Sequence, residues 1–166
     1  LGTRRPGCTR QRCKRVGELT DRDGRLLCLT HAEQKADATF QGYVRRRDRG
    51  CTAIGVLTST ACLGTTQAAH IVGRGNHAVR YDPENVWGLC AAHHMLVDQT
   101  GREDAKFRWA VSRLGVAGVV RLMERAREPT TRRAAVAGAL GRDWRLPGDE
   151  DVPIIGSGRG PREVAG

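Results

Sequence analysis

One pattern constrains this chain more than any other: the same order of ligands occurs twice. Cys8, Cys13, Cys28 and His31 form the first set, and Cys51, Cys62, Cys90 and His93 form the second. Each set ends in Cys-x2-His, and together they use all six cysteines. Three thiolates and an imidazole suit tetrahedral zinc, and a two-residue gap lets a tight turn present both ligands to one ion. The gaps from Cys13 to Cys28 and from Cys51 to Cys62 are longer than in common zinc fingers. The composition calls for such a staple. Aromatic residues make up 4% of the chain, with two Phe, two Tyr and three Trp, so an apolar core would be thin. A disulfide framework would require an exported protein. The sequence shows no signal peptide and no apolar run of membrane length, so the expectation is a cytoplasmic chain with reduced thiols.

The formal charge is +10, and residues 1–50 alone carry 13 Lys and Arg against 6 Asp and Glu. A surplus of this size favours a polyanionic partner, because each cation that neutralises a phosphate releases counterions. A chain that simply prefers Arg over Lys reaches the same total, so charge alone does not decide.

Hydrophobic spacing predicts the elements. Residues 8–31 read as loops with a turn at Asp23-Gly24. From about Ala32 to Arg49 a helix is expected, with Phe40, Tyr43 and Val44 at i, i+3, i+4 and Gly50 as its stop. Thr58–Thr60 and Thr65–Thr66 favour strand, Gly73, Gly75 and Asn76 mark a loop, and Val86–Leu89 reads as a short strand. A short helix is expected over 91–98. A longer one over Arg102–Leu114 carries Phe107, Ala110, Val111 and Leu114 on one stripe. Gly115 breaks it, Val116–Arg127 resumes, and a further helix covers Thr131–Leu140. The Gly- and Pro-rich tail from Pro147 reads as disordered.

A second constellation lies among the ligands of the second set. His70 sits in Gln67-Ala-Ala-His70-Ile-Val, at the expected end of a strand. Asn85 follows 15 positions on, in Arg80-Tyr81-Asp82-Pro83-Glu84-Asn85-Val86. His94 comes 9 positions later, in Leu89-Cys90-Ala-Ala-His93-His94-Met-Leu-Val-Asp98. The stretch resembles the HNH, or ββα-metal, endonucleases, and its details are similar to the phage NinG/Rap recombination nuclease family. The segments that carry the likeness are Ala36-Asp37 through Arg47-Asp48, Ala69-His70-Ile71, Val79-Arg80-Tyr81 with Asn85, Leu89-Cys90 through His94, and Phe107–Met123 with Arg113-Leu114-Gly115-Val116. They span about residues 35–126.

The resemblance implies a divalent-metal-dependent DNA endonuclease working in phage recombination or DNA processing, on branched DNA among other substrates. The residue types suit that chemistry. A neutral imidazole takes a proton from water near pH 7, which fits His70 as general base. His94 is the candidate ligand for a catalytic Mg2+ or Mn2+. Asp98 lies four residues on, on the same face of a helix, and either joins it or merely caps and solvates that helix. The resemblance assigns Asn85 to orienting the base and bracing the loop. Adjacent helical residues point about 100° apart, so His93 can face zinc while His94 faces the active site. One departure concerns Ala69, which stands where many HNH enzymes place a His or Asp ligand; the similar phage family also tends to a small residue there. A second is His94 itself, where that family often has Asn. His77 has no partner in the pattern and reads as a loop residue. Arg45, Arg46 and Arg47 on the first helix, with Arg74 and Arg80, are the candidate DNA contacts; Arg74 and Arg80 could equally brace the loop by pairing with acids.

The expected architecture is a small α+β protein: a zinc module over 1–34, a basic connecting helix over 35–50, a zinc-stapled ββα-metal core with its following helices over 51–127, a C-terminal helix over 128–146 and a tail over 147–166. The expected ions are two structural Zn2+ and one catalytic divalent ion. The expected partners are DNA and phage recombination or packaging proteins, with no membrane. A zinc-stabilised nucleic-acid-binding module without catalysis, or an accessory nuclease in DNA packaging, is the alternative.

Overall fold

The computed structural model describes residues 6–11 and 13–146. The expected tail and residues 1–5 of the basic start lie outside that range. Eight elements follow in order: β1 (Leu19–Thr20), β2 (Leu26–Leu27), α1 (Leu29–Asp48), β3 (Thr66–His70), β4 (Val86–Cys90), α2 (Ala91–Asp98), α3 (Glu103–Arg125) and α4 (Arg132–Gly141). They make a mixed α/β chain with two small antiparallel sheets, β1–β2 and β3–β4. No helix among the described residues is long and apolar enough to cross a membrane.

The α1 helix forms because Ala32, Ala36, Phe40 and Val44 recur every fourth residue, giving one buried ridge. It starts three residues before the predicted position, with Cys28 as its N-cap. It ends in an unexpected way: Arg49, and not a glycine, takes the left-handed conformation at φ 53°. Arg45, Arg46 and Arg47 fill the last turn, where the helix dipole favours cations.

The register of β3 on β4 runs from Thr66 opposite Cys90 to His70 opposite Val86. Alternation along the strands sends their side chains to two separate cores. Ala68 and Val86 face the first, with Phe40, Tyr81, Val136, Leu140 and Trp144. Ala69, Trp87 and Leu89 face the second, with Leu57, Val97, Trp109 and Leu122. α2 begins directly after β4, so the middle of the chain has the order strand, strand, helix.

Two expectations need correction. Thr58–Thr60 is turn, not strand. β3 already pairs with β4, and residues 52–60 instead bend to carry Cys51 and Cys62 towards one point. The apolar stripe of α3 is set by Ala105, Trp109 and Ala110, while Phe107 is 57% exposed. Trp109 anchors that register by donating its indole N–H to Thr52 Oγ1 at 3.1 Å. Gly115 does interrupt α3, at φ 66° and ψ 168°. α4, capped by the Thr131 hydroxyl, packs on α1 and β1. The chain after it then places Trp144 4.7 Å from the Phe40 ring and 5.2 Å from Tyr43.

The end of α1 lies hard against β4. The Gly88 N–H donates to Asp48 Oδ2, and a Cβ at Gly88 would stand 2.8 Å from the Gly50 carbonyl oxygen and 2.9 Å from Thr66 Cγ2. Two of those contacts are with backbone or the opposite strand, which cannot step aside cheaply. Gly88→Ala is therefore expected to cost about 1–3 kcal/mol by overpacking. Thermal unfolding would read this as a fall of several degrees in Tm, whereas an unchanged Tm would refute the close approach.

Candidate metal centres and active site

Both Cys/His sets assemble. His31 Nδ1 lies 3.4 Å from Cys8 Sγ and from Cys28 Sγ, and Cys13 Sγ lies 3.9 Å from Cys28 Sγ. His93 Nδ1 lies 3.4 Å from Cys51, 3.5 Å from Cys62 and 3.2 Å from Cys90. A tetrahedron with Zn–S bonds of about 2.3 Å and Zn–N bonds of about 2.0 Å has S···N edges near 3.5 Å and S···S edges near 3.8 Å. The four ligand atoms of each set match those edges, and within each set they all lie within 4.8 Å of one another. Either set could hold a zinc ion.

The two centres share one local design. Cys28 caps α1 and Cys90 caps α2, each with extended backbone, and the histidine follows at the third helical position. Burial alone would raise the Cys90 thiol. The N–H groups of His93 and Leu63, with the His93 ring, instead bring it down to about 6. Cys8 is likewise raised by burial but brought down to about 6 by the N–H groups of Cys28 and Arg10 and the His31 ring. Cys62 goes the other way, to about 11, through desolvation and the like charge of Cys51 and Cys90. Three thiolates at this spacing would repel one another, and an ion among them would bring Cys62 down with the others. In the second centre His93 Nε2–H donates to the Leu57 carbonyl at 2.9 Å, which fixes the tautomer that offers Nδ1 to the ion.

His70 closes β3 and opens the loop to β4. Asn85, fully buried, ties that loop shut. Its Oδ1 accepts from Val72 N–H at 2.7 Å, and its Nδ2 donates to the carbonyls of Val79 at 2.8 Å and Val72 at 3.1 Å. Beside this clamp, His70 Nε2–H donates to the Arg80 carbonyl at 3.2 Å, leaving Nδ1 as the acceptor. Desolvation lowers the His70 pKa to about 4, the Arg80 carbonyl opposing this and the charges of Arg74 and Arg80 adding to it. The ring is neutral at pH 7. His77 also belongs to this loop, with its Nδ1 buried and unbonded.

His94 lies on α2 with His93, and the two rings divide as the sequence predicts: His93 is buried in the zinc set, and His94 turns elsewhere. His94 Nε2 is 3.1 Å from Asp98 Oδ2, one helical turn on, and Nδ1 is 2.8 Å from the Gln67 amide. Two ligands at a right angle about an ion with bonds of about 2.1 Å stand about 3.0 Å apart, so His94 and Asp98, here an ion pair, could supply one edge of an octahedral site. Asp98 is also bonded by Lys106 at 3.2 Å. Ala69, in the place of a further ligand, is buried against the second core. Among the described residues His70 and His94 share no hydrogen-bond partner. His94 is tied to the start of β3 through Gln67, and His70 sits at its end, about 10 Å along the strand.

Of the five arginines singled out from sequence, three are tied into the scaffold. Arg80, 7% exposed, pairs with Glu33 at 2.7 Å and Asp37 at 2.9 Å. The loop-bracing role left open above is the one its contacts show. Arg47 pairs with Asp48 and donates to the carbonyls of Pro83 and Val86. Arg46 donates to the Trp144 carbonyl. Arg45 and Arg74 are exposed. The sequence reading missed Glu33, Asp37 and Gln67. Glu33 and Asp37 stand four apart on α1, an acid pair on one helical face of a basic protein, which is the signal that could have found them.

Comparison of the chain with protein-family models, with curated proteins and with solved structures gave no match.

Two outcomes are expected from these centres. Metal analysis of the purified chain should give two zinc ions per molecule, with Cys28→Ser and Cys90→Ser each losing one; full zinc content in either variant would contradict the ligand sets. His70 should keep the NMR shifts of a neutral ring from pH 7 down to pH 5. The unfolded ring titrates near 6.5 and the folded one near 4, so the unfolded chain binds the extra proton between them. The contribution of His70 to stability is thus complete above about 6.5 and is lost as pH falls towards 4. A ring that titrates near 6.5 in the folded protein would show that it is solvated.

Proposed function

We propose that this chain is a divalent-metal-dependent endonuclease of the HNH type that hydrolyses phosphodiester bonds in DNA. The observation that carries the reading is the Asn85 clamp: a buried amide closing the loop beside a neutral His70 whose Nε2–H is engaged and whose Nδ1 is free. That is the arrangement a general base needs. The strand–strand–helix order and the division of His93 from His94 support it as well.

In this reading a water loses its proton to His70 Nδ1. The resulting hydroxide forms a bond to phosphorus, the bond to the leaving oxygen breaks, and that oxygen takes a proton from solvent. Asn85 holds the loop so that the base keeps its orientation. His94 and Asp98 would hold the catalytic ion, with the Gln67 amide beside them. A bound Mg2+ or Mn2+ supplies Lewis-acid stabilisation of the phosphate and the leaving oxygen. The zinc centres take no part in the reaction and keep α1 and α2 in place. The resemblance to phage recombination nucleases makes DNA recombination or packaging proteins the natural company of such an enzyme.

A second reading has its own observation. Ala69 is buried where a third ligand would stand, and Lys106 already occupies Asp98. Both favour a zinc-stabilised nucleic-acid-binding module without catalysis. Incubation with supercoiled plasmid and Mg2+ or Mn2+ separates the two. The nuclease reading expects nicked or linear product from the native chain and a loss of about 100-fold or more in His70→Ala and His94→Ala. Intact plasmid with every metal tried, alongside retained DNA binding, would leave the binding module.

A further inference from the structure

Where the end of α1, β4 and α3 meet, an open recess of about 530 Å³ is lined by Arg47, Arg49, Thr52, Ile54, Trp87 and Arg113, among others. We propose that Arg49 and Arg113, grouped around Trp87, form a phosphate-binding subsite for the backbone of a nucleic acid, a proposal that rests on the nucleic-acid reading above.

The argument begins from what the recess already satisfies. Arg47 has a carboxylate partner in Asp48 and two carbonyl acceptors, so its charge and its N–H groups are committed. Asp48 is also committed, to Arg47 and to the Gly88 N–H. The Thr52 hydroxyl donates to the Gly88 carbonyl and accepts from Trp109. Arg49 and Arg113 remain. Both are exposed, and neither has a carboxylate partner among the described residues. Among the described residues Arg80, Arg108, Arg125 and Arg132 each pair with an acid, while Arg45, Arg74 and Arg121 do not; what sets Arg49 and Arg113 apart is that they share one recess with Trp87. With one carboxylate against three guanidiniums, the recess is short of two negative charges.

The indole decides which part of a nucleic acid would supply them. The guanidinium carbons of Arg47 and Arg113 lie 4.2 Å and 4.6 Å from the Trp87 ring centre. Cations over the ring hold Arg113 in a fixed plane and occupy the surface a base would stack on. An arriving ligand therefore meets planar guanidinium edges, which match the paired oxygens of a phosphodiester. Contacts of that kind position a backbone and carry no base preference. Arg49 adds a second observation. It adopts a left-handed conformation in which glycine costs less, next to a glycine that could have served.

The test measures binding by the zinc-loaded chain, without Mg2+ or Mn2+, to a labelled duplex of about 20 base pairs by fluorescence anisotropy, between about 50 and 200 mM salt. Arg113→Ala and Arg49→Gly should each weaken binding and make the slope of log K against log salt shallower by about 0.9, and the double variant by about twice that. Arg108→Ala, which removes a charge already paired with Asp104 on the same helix, should change the slope by less than half as much. Arg49→Gly suits its backbone, so lost binding in that variant with normal Tm and zinc content is a loss of contact and not of fold. Native-like binding and slope in either single variant, while the native chain binds DNA, would overturn the subsite and leave the nucleic-acid reading standing. A native chain that neither binds nor cuts DNA would overturn both. Inorganic phosphate is the remaining probe: if it alters Trp87 emission while both variants still bind DNA as the native chain does, the recess is a free-phosphate site and the proposal fails.

Discussion

A helix of eight residues does not persist in water by itself, because its few hydrogen bonds do not offset the cost of nucleation. α2 has eight residues, no side-chain cap and no acid in its first turn. It is held by its beginning: Cys90 at the cap and His93 one turn in belong to one ligand set with Cys51 and Cys62, which come from the loop between α1 and β3. An ion held by this set would bind the start of the helix to the end of β4 and to a loop with little apolar material of its own. The orientation of His94 depends on this. It follows His93 directly, so fixing one ring on the ion fixes the other about 100° away. The first centre does the same for α1, through Cys28 and His31.

From α1 a second line of constraint runs to His70. Glu33 and Asp37 hold the Arg80 guanidinium, and Tyr81 donates its hydroxyl to Asp37 at 2.8 Å. Arg132 of α4 adds a further ion pair to Glu33, whose carboxyl it holds below the usual range. The backbone of Arg80 is therefore fixed at a buried point, and its carbonyl accepts the His70 Nε2–H. Asn85 closes the other side of the same loop. His70 is thus oriented by residues that never touch its Nδ1, and part of that orientation comes from a C-terminal helix far away in sequence. Truncating α4 would reach the imidazole through Arg132, Glu33 and Arg80.

The legibility of the chain follows from what each signal depends on. The two ligand sets were readable because metal coordination demands a few residue types at short spacings, and the 91–98 helix was readable because Cys90 and His93 fix its start. Gly115 was readable because backbone freedom is a local property. Asn85 was identified only through its spacing to His70 and His94; nothing local distinguishes it from a turn asparagine. The stripe of α3 was misread by taking Phe107 for its anchor. Trp109 took that place because Thr52 offers an acceptor for its indole N–H, a partner 57 positions away. Thr58–Thr60 has strand propensity, but no strand edge is available to it. Trp144 lay outside any pattern, although with Phe40 and Tyr43 it supplies much of the aromatic mass of the first core. The ββα order and the two centres were expected and are present. The ion between His94 and Asp98 and the reaction itself remain the proposal.

The excess of positive charge takes on a different meaning once its carriers are located. Several of the arginines that made the sequence look adhesive to polyanions are structural ties: Arg80 to α1, Arg125 to Asp82 and Glu84, Arg132 to Glu33, Arg133 to Glu18. In a core with so few large side chains, a guanidinium that reaches several acceptors at once serves as packing and as hydrogen bonding together. Arg80, Arg125 and Arg132 are therefore poor candidates for ligand contact, since moving them to a phosphate would leave the half-buried Glu33, Asp37 and Asp82 carboxylates without a partner. The arginines with no carboxylate among the described residues, Arg45, Arg49, Arg74 and Arg113 among them, are the ones a ligand could engage without that loss. In the proposed subsite the charge that counts is set by which arginines lack a carboxylate, and the placing of Arg49 and Arg113 beside Trp87 is a property of the fold that no count of basic residues contains.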